Sequence, residues 1–265
     1  MRTAILSALP PDIKRTYDVF FRSFQDDKMG SIMLDILFPN GITDEFREIH
    51  ARETAKFWHI NKDQYTLKAV DMATADIVGM ELLDIYLNER SDEERKYLGI
   101  PWLEGEALER ANAVIGALWE AHERILGGRR HICMSEAELH VCSEILTTML
   151  RQDLNVVAVD PKKQGLGIGA QLIGWAIKFS NETGLPIYLE ASPSSYPLYC
   201  KMGFETLPEK VNHKAEVLDT PSDVEVPLMA YMPSDASGLT FTEWRRRGFP
   251  SFEGEGKAGV TVNGS

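Results

Sequence analysis

Two hydrophobic rhythms alternate along this chain, and their order predicts a fold that mixes strands with helices. Residues 3–6 form a short apolar run of strand type. Over 11–24, Ile13, Tyr17, Phe20, Phe21 and Phe24 recur at helical spacing and give a helix one apolar face. A second apolar patch, 32–38, runs into the turn Pro39-Asn40-Gly41. Residues 43–57 carry Phe46, Ile49 and Phe57 on or near one helical face. Residues 65–71 and 77–86 read as paired strands joined by the polar turn 72–76.

The rhythm breaks over 88–110, which is rich in Glu, Asp and Arg and interrupted by Gly99 and Pro101; a solvated excursion with some helix is expected. It resumes over 111–126, where Val114, Ala117, Leu118, Ala121 and Ile125 form one stripe and Gly127-Gly128 stops the helix. Ser135-Glu136-Ala137-Glu138 is a capping-box pattern that opens another helix, with Leu139, Cys142, Ile145, Leu146 and Met149 on its apolar face. Both stripes read as core packing.

A strand over 154–159 then leads into a glycine-rich turn and a helix from 171 to 179, whose Leu172, Ile173, Ala176 and Ile177 face inward and which Gly184 ends. A strand over 187–191, a short helix over 195–202 with Pro197 in its first turn, and strands over 204–206 and 224–231 follow. From Ser234 periodic apolar positions are few, and the end of the chain is Gly-rich, so 234–265 reads as a partly mobile extension. No linker separates two cores. This order of elements predicts a single α/β domain over 1–233, built around one central sheet.

Composition narrows the classes of function. The 265 residues are 44% hydrophobic and 26% charged, as in an ordinary globular protein. The net charge of −12 lacks the basic footprint of a nucleic-acid binder and is compatible with a cationic, amine-bearing partner. The three cysteines, Cys133, Cys142 and Cys200, are too sparse for a disulfide framework, and no Cys/His spacing points to a structural metal; none is expected. The six histidines, His50, His59, His122, His131, His140 and His213, receive no role. No apolar run reaches the roughly 18 residues of a membrane span. The first residues meet Pro10-Pro11 too early for a signal peptide, so a cytoplasmic protein is the expectation.

The densest chemical signal is Gln164-Gly165-Leu166-Gly167-Ile168-Gly169-Ala170, lying between a strand and a helix. Glycines let backbone amides turn toward a ligand, and a helix start adds partial positive charge; together they hold phosphate. Three readings compete. A nucleotide P-loop needs Lys followed by Ser or Thr after its last glycine, and Ala170-Gln171 stands there instead. A Rossmann dinucleotide site, hence an NAD-dependent oxidoreductase, is compatible with Gly165-x-Gly167-x-x-Ala170 and with Glu190 at the end of the next strand. Against it, Pro161-Lys162-Lys163-Gln164 separates the strand from the glycines, and the motif lies past the middle of the chain.

The third reading is an acyl-CoA pyrophosphate loop. Val159-Asp160-Pro161-Lys162-Lys163-Gln164-Gly165-Leu166-Gly167-Ile168-Gly169 resembles the Gln/Arg-x-x-Gly-x-Gly/Ala signature of the GNAT acetyltransferase superfamily. A second block of that family, Leu-Tyr-x-x-x-Gly-Phe, is matched about 30 residues on by Leu198-Tyr199-Cys200-Lys201-Met202-Gly203-Phe204. The resemblance covers roughly 154–206 and implies the GNAT fold: a mixed, twisted sheet with helices on both faces, splayed at the acyl-CoA cleft. Relative to minimal members, about 88–150 looks like an insertion, as in larger fungal-type GNAT proteins.

The resemblance also implies roles. Acetyl-CoA would be the cosubstrate, with its pyrophosphate on the backbone amides of Leu166, Gly167, Gly169 and Ala170 and with Gln164 and Gly165 shaping the turn. Val157 and Val159 would pair with the pantetheine arm like an added strand, and an amide near Val157 would meet the thioester carbonyl. Tyr199 matches the family tyrosine near the CoA sulfur and is the candidate acid, with Tyr196 behind it. Glu190, Glu81 and Asp84 are candidate bases, Glu190 foremost. The activity implied is acetyl transfer to a primary amine, on a small molecule rather than a protein tail. A catalytically silent CoA-binding protein of the same fold is the alternative.

Overall fold

The strand pair β2 (Gln64–Asp71) and β3 (Ile77–Tyr86) organises the sheet: its connecting turn is short, and β3 is buried along its whole length. The structure, a computed structural model, describes residues 1–134, 156–250 and 252. The N-terminal strand β1 (Thr3–Ser7) adds to the outer edge of β2, antiparallel, with Ile5 opposite Ala69. Three helices separate β1 from β2: α1 (Ile13–Asp26), α2 (Lys28–Leu37) and α3 (Asp44–Ile60). Asp27 caps α2 by accepting from the Gly30 amide, and Thr43 caps α3 by accepting from the Phe46 amide.

After β3 come α4 (Gly105–Ala111), α5 (Ala117–Ile125), β4 (His131–Cys133), β5 (Val156–Val159), α6 (Ile168–Thr183), β6 (Ile187–Glu190) and α7 (Tyr196–Lys201). The chain continues through β7 (Glu205–His213), α8 (Ala215–Leu218), β8 (Val224–Tyr231) and α9 (Phe241–Arg246). The eight described strands form one sheet in the order β1-β2-β3-β4-β6-β8-β7, with β5 on β3. The pairing is antiparallel apart from β4 on β6.

The sheet is covered on both faces. Phe20, Phe21, Leu34, Leu37, Leu118 and Ile125 of α1, α2 and α5 pack on the face that carries Met80, Leu82 and Tyr188. Ile168, Leu172, Ile173 and Ala176 of α6 pack on the other, against Leu67, Leu83 and Leu189. An open, mixed sheet of this kind is not the doubly wound parallel sheet of a dinucleotide-binding domain, so the Rossmann reading fails on topology. Among the described residues, no helix is long and apolar enough to cross a membrane.

Several sequence expectations change. Residues 88–110 are not wholly solvated: Ile100 and Leu103 are buried, and the Trp102 indole donates to the Leu37 carbonyl at 2.9 Å. The helix expected over 111–126 begins earlier, at Gly105, and passes through one π-helical turn, Asn112–Gly116, before α5. The strand expected over 204–206 runs to His213, interrupted by a register shift around Pro208, whose ring removes a ladder donor. Beyond Ser234, Phe241 and Trp244 bury into the core from a helix opened by a Thr240–Glu243 capping box, and the Phe241 amide donates to Glu205 at 2.6 Å. The helix expected from Ser135, with Leu139, Cys142, Ile145, Leu146 and Met149, lies outside the described residues, as do Leu154 and Asn155 of the next expected strand and the Gly-rich end.

Candidate active site

The site begins where the sheet opens. β3 is long enough to pair with two strands along one edge: its C-terminal part holds β4, with Asp84 opposite Cys133, and its N-terminal part holds β5, with Glu81 opposite Val157. β6 follows β4 for only two residue pairs, Ile132 with Ile187 and Cys133 with Tyr188; the Met134 amide then donates to the Tyr188 carbonyl at 2.8 Å. Past that bond β6 pairs with β8 alone, and no ladder joins β5 to β6 among the described residues. Backbone on the facing edges is therefore available to an extended ligand.

The glycine turn closes one end of this opening. Asp160 starts it by accepting from the Lys162 amide at 3.0 Å, and its own amide donates to the Val78 carbonyl at 3.0 Å. A single 3-10 turn, Pro161–Lys163, follows, and Gln164 donates back to the Val159 carbonyl at 3.4 Å. Gly165 and Gly167 then adopt φ of +74° and +79°, left-handed values that side chains rarely take. Gly167 is the N-cap of α6. The Gln171 amide is bonded to the Gly167 carbonyl at 3.2 Å, and helix geometry leaves the amides of Ile168, Gly169 and Ala170 without an intrahelical acceptor. A Cβ at Gly169 would lie 3.3 Å from Leu198 Cδ2, so glycine also keeps the turn close to α7.

A cleft of about 630 Å³ runs from this turn through the gap between β5 and β6 to the helical layer on the far face. Of the residues singled out by sequence, Val157, Val159, Gln164, Gly165, Gly167, Gly169, Ala170, Glu190 and Tyr199 all line it. Leu166 stands outside at the tip of the turn, its side chain 53% exposed. Tyr199 is 1% exposed and packs edge-to-face on Phe204 at 5.3 Å. Tyr196 turns away instead: its hydroxyl lies 3.0 Å from Thr206 Oγ1.

The three candidate bases separate by place. Glu190 is buried at the end of β6 and lines the cleft. Asp84 lies on the helical face and accepts from the Tyr86 hydroxyl at 3.4 Å; its charge adds to burial in raising the Tyr17 phenol's pKa. Glu81 is fully buried beside Val157 on the α6 side, and neither carboxylate oxygen has a hydrogen-bond partner among the described residues. Burial pushes its pKa up to about 8, so it is held neutral where a charge would go unpaired.

Other cleft residues escaped the sequence reading. Asp26 and Asp27 line it from the junction of α1 and α2, Lys163 and Lys201 line it from the turn and α7, and His213 lines it from the end of β7. The signal for His213 was the alternation Leu207, Val211, His213, masked by Pro208. Away from the cleft, His122 and His131 meet at 2.8 Å between their Nε2 atoms, and the other ring nitrogen of His131 donates to the Arg129 carbonyl at 2.7 Å. With Cys133, their ligand atoms lie within 4.8 Å of one another, a donor set the sequence spacing did not disclose. Burial pushes His122 down to about 3, and Arg90 and Arg95 add positive charge beside it that opposes a cation.

The likeness to known proteins follows the same architecture. Residues 102–225 match the acetyltransferase (GNAT) domain family. Over 162 residues the chain is 28% identical to the "Probable acyltransferase SID5" of Ajellomyces capsulatus, a match spanning 61% of this chain and 98% of that protein. Arylalkylamine N-acetyltransferase 2 from Aedes aegypti superposes with a TM-score of 0.58 at 13% identity, over 88% of this chain and 99% of that one. A mosquito arylalkylamine N-acetyltransferase like 5b superposes with a TM-score of 0.55 at 12% identity, over 87% and 100%. At these identities the two structures bear on the fold alone. Over residues 102–225 the chain is therefore similar to the GNAT acetyltransferases.

Proposed function

We propose that the protein transfers the acetyl group of acetyl-CoA to a primary amine on a small molecule, by direct attack within a ternary complex. One observation carries this reading: a single cleft joins the glycine turn at the start of α6, through the gap between β5 and β6, to Glu190 and Tyr199. The residues fit acetyl-CoA as substrate. Two left-handed glycines with nothing within 4 Å of a built Cβ leave the turn open to a diphosphate. Lys163 and Lys201 add positive charge along the same cleft.

At the reacting end, the amine nitrogen attacks the thioester carbonyl carbon. The C–N bond forms and the C–S bond breaks. An amide near Val157 stabilises the carbonyl oxygen as charge develops on it. The attacking nitrogen gives up its proton to Glu190, directly or through water, and Tyr199 returns one to the departing thiolate. A phenol with an ordinary pKa of about 10 stays protonated at neutral pH and can protonate a thiolate whose conjugate acid has a pKa near 8.5. Asp26, Asp27 and Glu190 on the cleft wall favour the approach of a cationic amine.

The test is a thiol-release assay with acetyl-CoA and a panel of primary amines, beside thermal-shift titration with CoA. Amine-dependent release of CoA supports the reading. Tight CoA binding with no release on any amine would instead mark a silent CoA-binding protein.

A further inference from the structure

The three strands β6, β8 and β7 carry the wall of the cleft opposite the helices. Their register places Glu190 opposite Leu228, Val211 opposite Val226 and His213 opposite Val224. These residues therefore share one face of the sheet, the face on which α1, α2 and α5 pack. Leu228 and Val224 are four positions apart on β8, about 13 Å along the strand at about 3.3 Å per residue, and Glu190 and His213 flank β8 on opposite sides. The cleft thus holds a carboxylate at the sheet opening and an imidazole at a point well removed from it.

Apolar side chains line part of the cleft wall. Phe24, Met29, Met33 and Leu118 line the helical side, and Val226 lines the strand side. His213 is 4% exposed, lines the cleft, and has no hydrogen-bond partner among the described residues. Burial lowers its pKa below the ordinary value, so the ring is neutral at pH 7. The adjacent Lys214 pairs outward with Asp223 at 2.8 Å and leaves the imidazole to the cleft. An imidazole facing the cleft favours a ligand group that hydrogen-bonds to it over one that only displaces water from it.

We propose that His213 reads the far end of the acceptor: the substrate is an amine carried on an apolar body whose opposite end bears a hydroxyl or similar neutral hydrogen-bonding group. This deepens the acetyl-transfer reading and rests on it. The amine meets the acetyl group beside Glu190, the apolar body lies against Met29, Met33 and Val226, and the tail hydrogen-bonds to the His213 imidazole.

The experiment compares amines in pairs that share a carbon skeleton and differ by a terminal hydroxyl, such as phenethylamine with tyramine and hexylamine with aminohexanol. The wild type should favour the hydroxylated member by about tenfold or more in kcat/KM. His213→Leu should bring the ratio close to one, and His213→Gln should keep part of the preference. An acetyl-CoA thermal shift certifies each variant as folded. Should His213→Leu not fold, Val226→Phe, which fills the same end from β8, must abolish the advantage of the longer member. No preference in the wild type, or a preference that survives these substitutions, overturns the proposal. Absence of turnover with every amine overturns the acetyl-transfer reading itself.

Discussion

Arg22 of α1 and Asp160 at the head of the glycine turn meet at 3.1 Å, Nη2 to Oδ2. This contact ties α1 of the helical layer to the glycine turn at one end of the cleft. Both side chains reach solvent, 43% and 19% exposed, so the pair itself adds little stability. Arg22→Ala should cost no more than about 1 kcal/mol in denaturant unfolding. It should raise the KM for acetyl-CoA several-fold, because Asp160 loses one of the contacts that orient the turn. An unaltered KM would show that Asp160 holds the turn through the Lys162 amide alone.

Tyr199 distinguishes chemistry from packing. Tyr199→Phe keeps the ring on Phe204 and removes one hydroxyl. The expected outcome is turnover at least tenfold lower, with CoA affinity barely changed, read by thiol release and calorimetry. Equal turnover in the two proteins would leave Tyr199 a packing residue.

Gly167 has open space around it, so its substitution tests conformation and not fit. Gly167→Ala must hold a side chain at φ +79°, which costs about 1–2 kcal/mol. The helix start should shift to relieve that strain, and acetyl-CoA should bind about tenfold more weakly. Gly174→Ala, also in open space but with no left-handed backbone and in the middle of α6, is the control and should be neutral or slightly stabilising.

Glu81 makes stability depend on pH in a defined direction. Its folded pKa, about 8, lies above the model-compound value of 4.5, so between those values the folded form holds a proton that the unfolded form has lost. Stability from this group is therefore greatest below about pH 4.5 and declines as pH rises toward 8, by on the order of 4 kcal/mol at about 1.4 kcal/mol per pKa unit. Glu81→Gln should flatten that decline and leave the protein more stable than wild type at pH 8. Chemical denaturation at intervals from pH 5 to 8 measures both slopes, and parallel slopes would show that Glu81 ionises as readily in the folded protein as in the unfolded chain.

The parts legible in the sequence are those governed by neighbours within a turn or two. The stripe of α1, the pairing of β2 and β3 across a short polar turn, and the step from β5 through the glycine turn to α6 follow from local periodicity, turn residues and conformations that glycine alone takes easily. The short strand β4 was missed, because three buried residues carry no period of their own. The buried anchors Ile100 and Leu103 were obscured by charged neighbours, since burial there depends on what α2 and α4 leave uncovered.

The family likeness could be read from the chain because a glycine-rich turn ahead of a helix is a short-range object: a few consecutive residues set its backbone. Where the sheet opens is a different kind of fact. It depends on β3 being long enough to hold β4 and β5 end to end while β6 follows only the first, a choice made by pairing between residues as far apart in sequence as Gly79 and Val159. The same long-range register decides that Glu190 and His213 share one wall and that Glu81 is sealed under α6. No short window of sequence holds that information, because burial and alignment across strands are properties of the packed sheet.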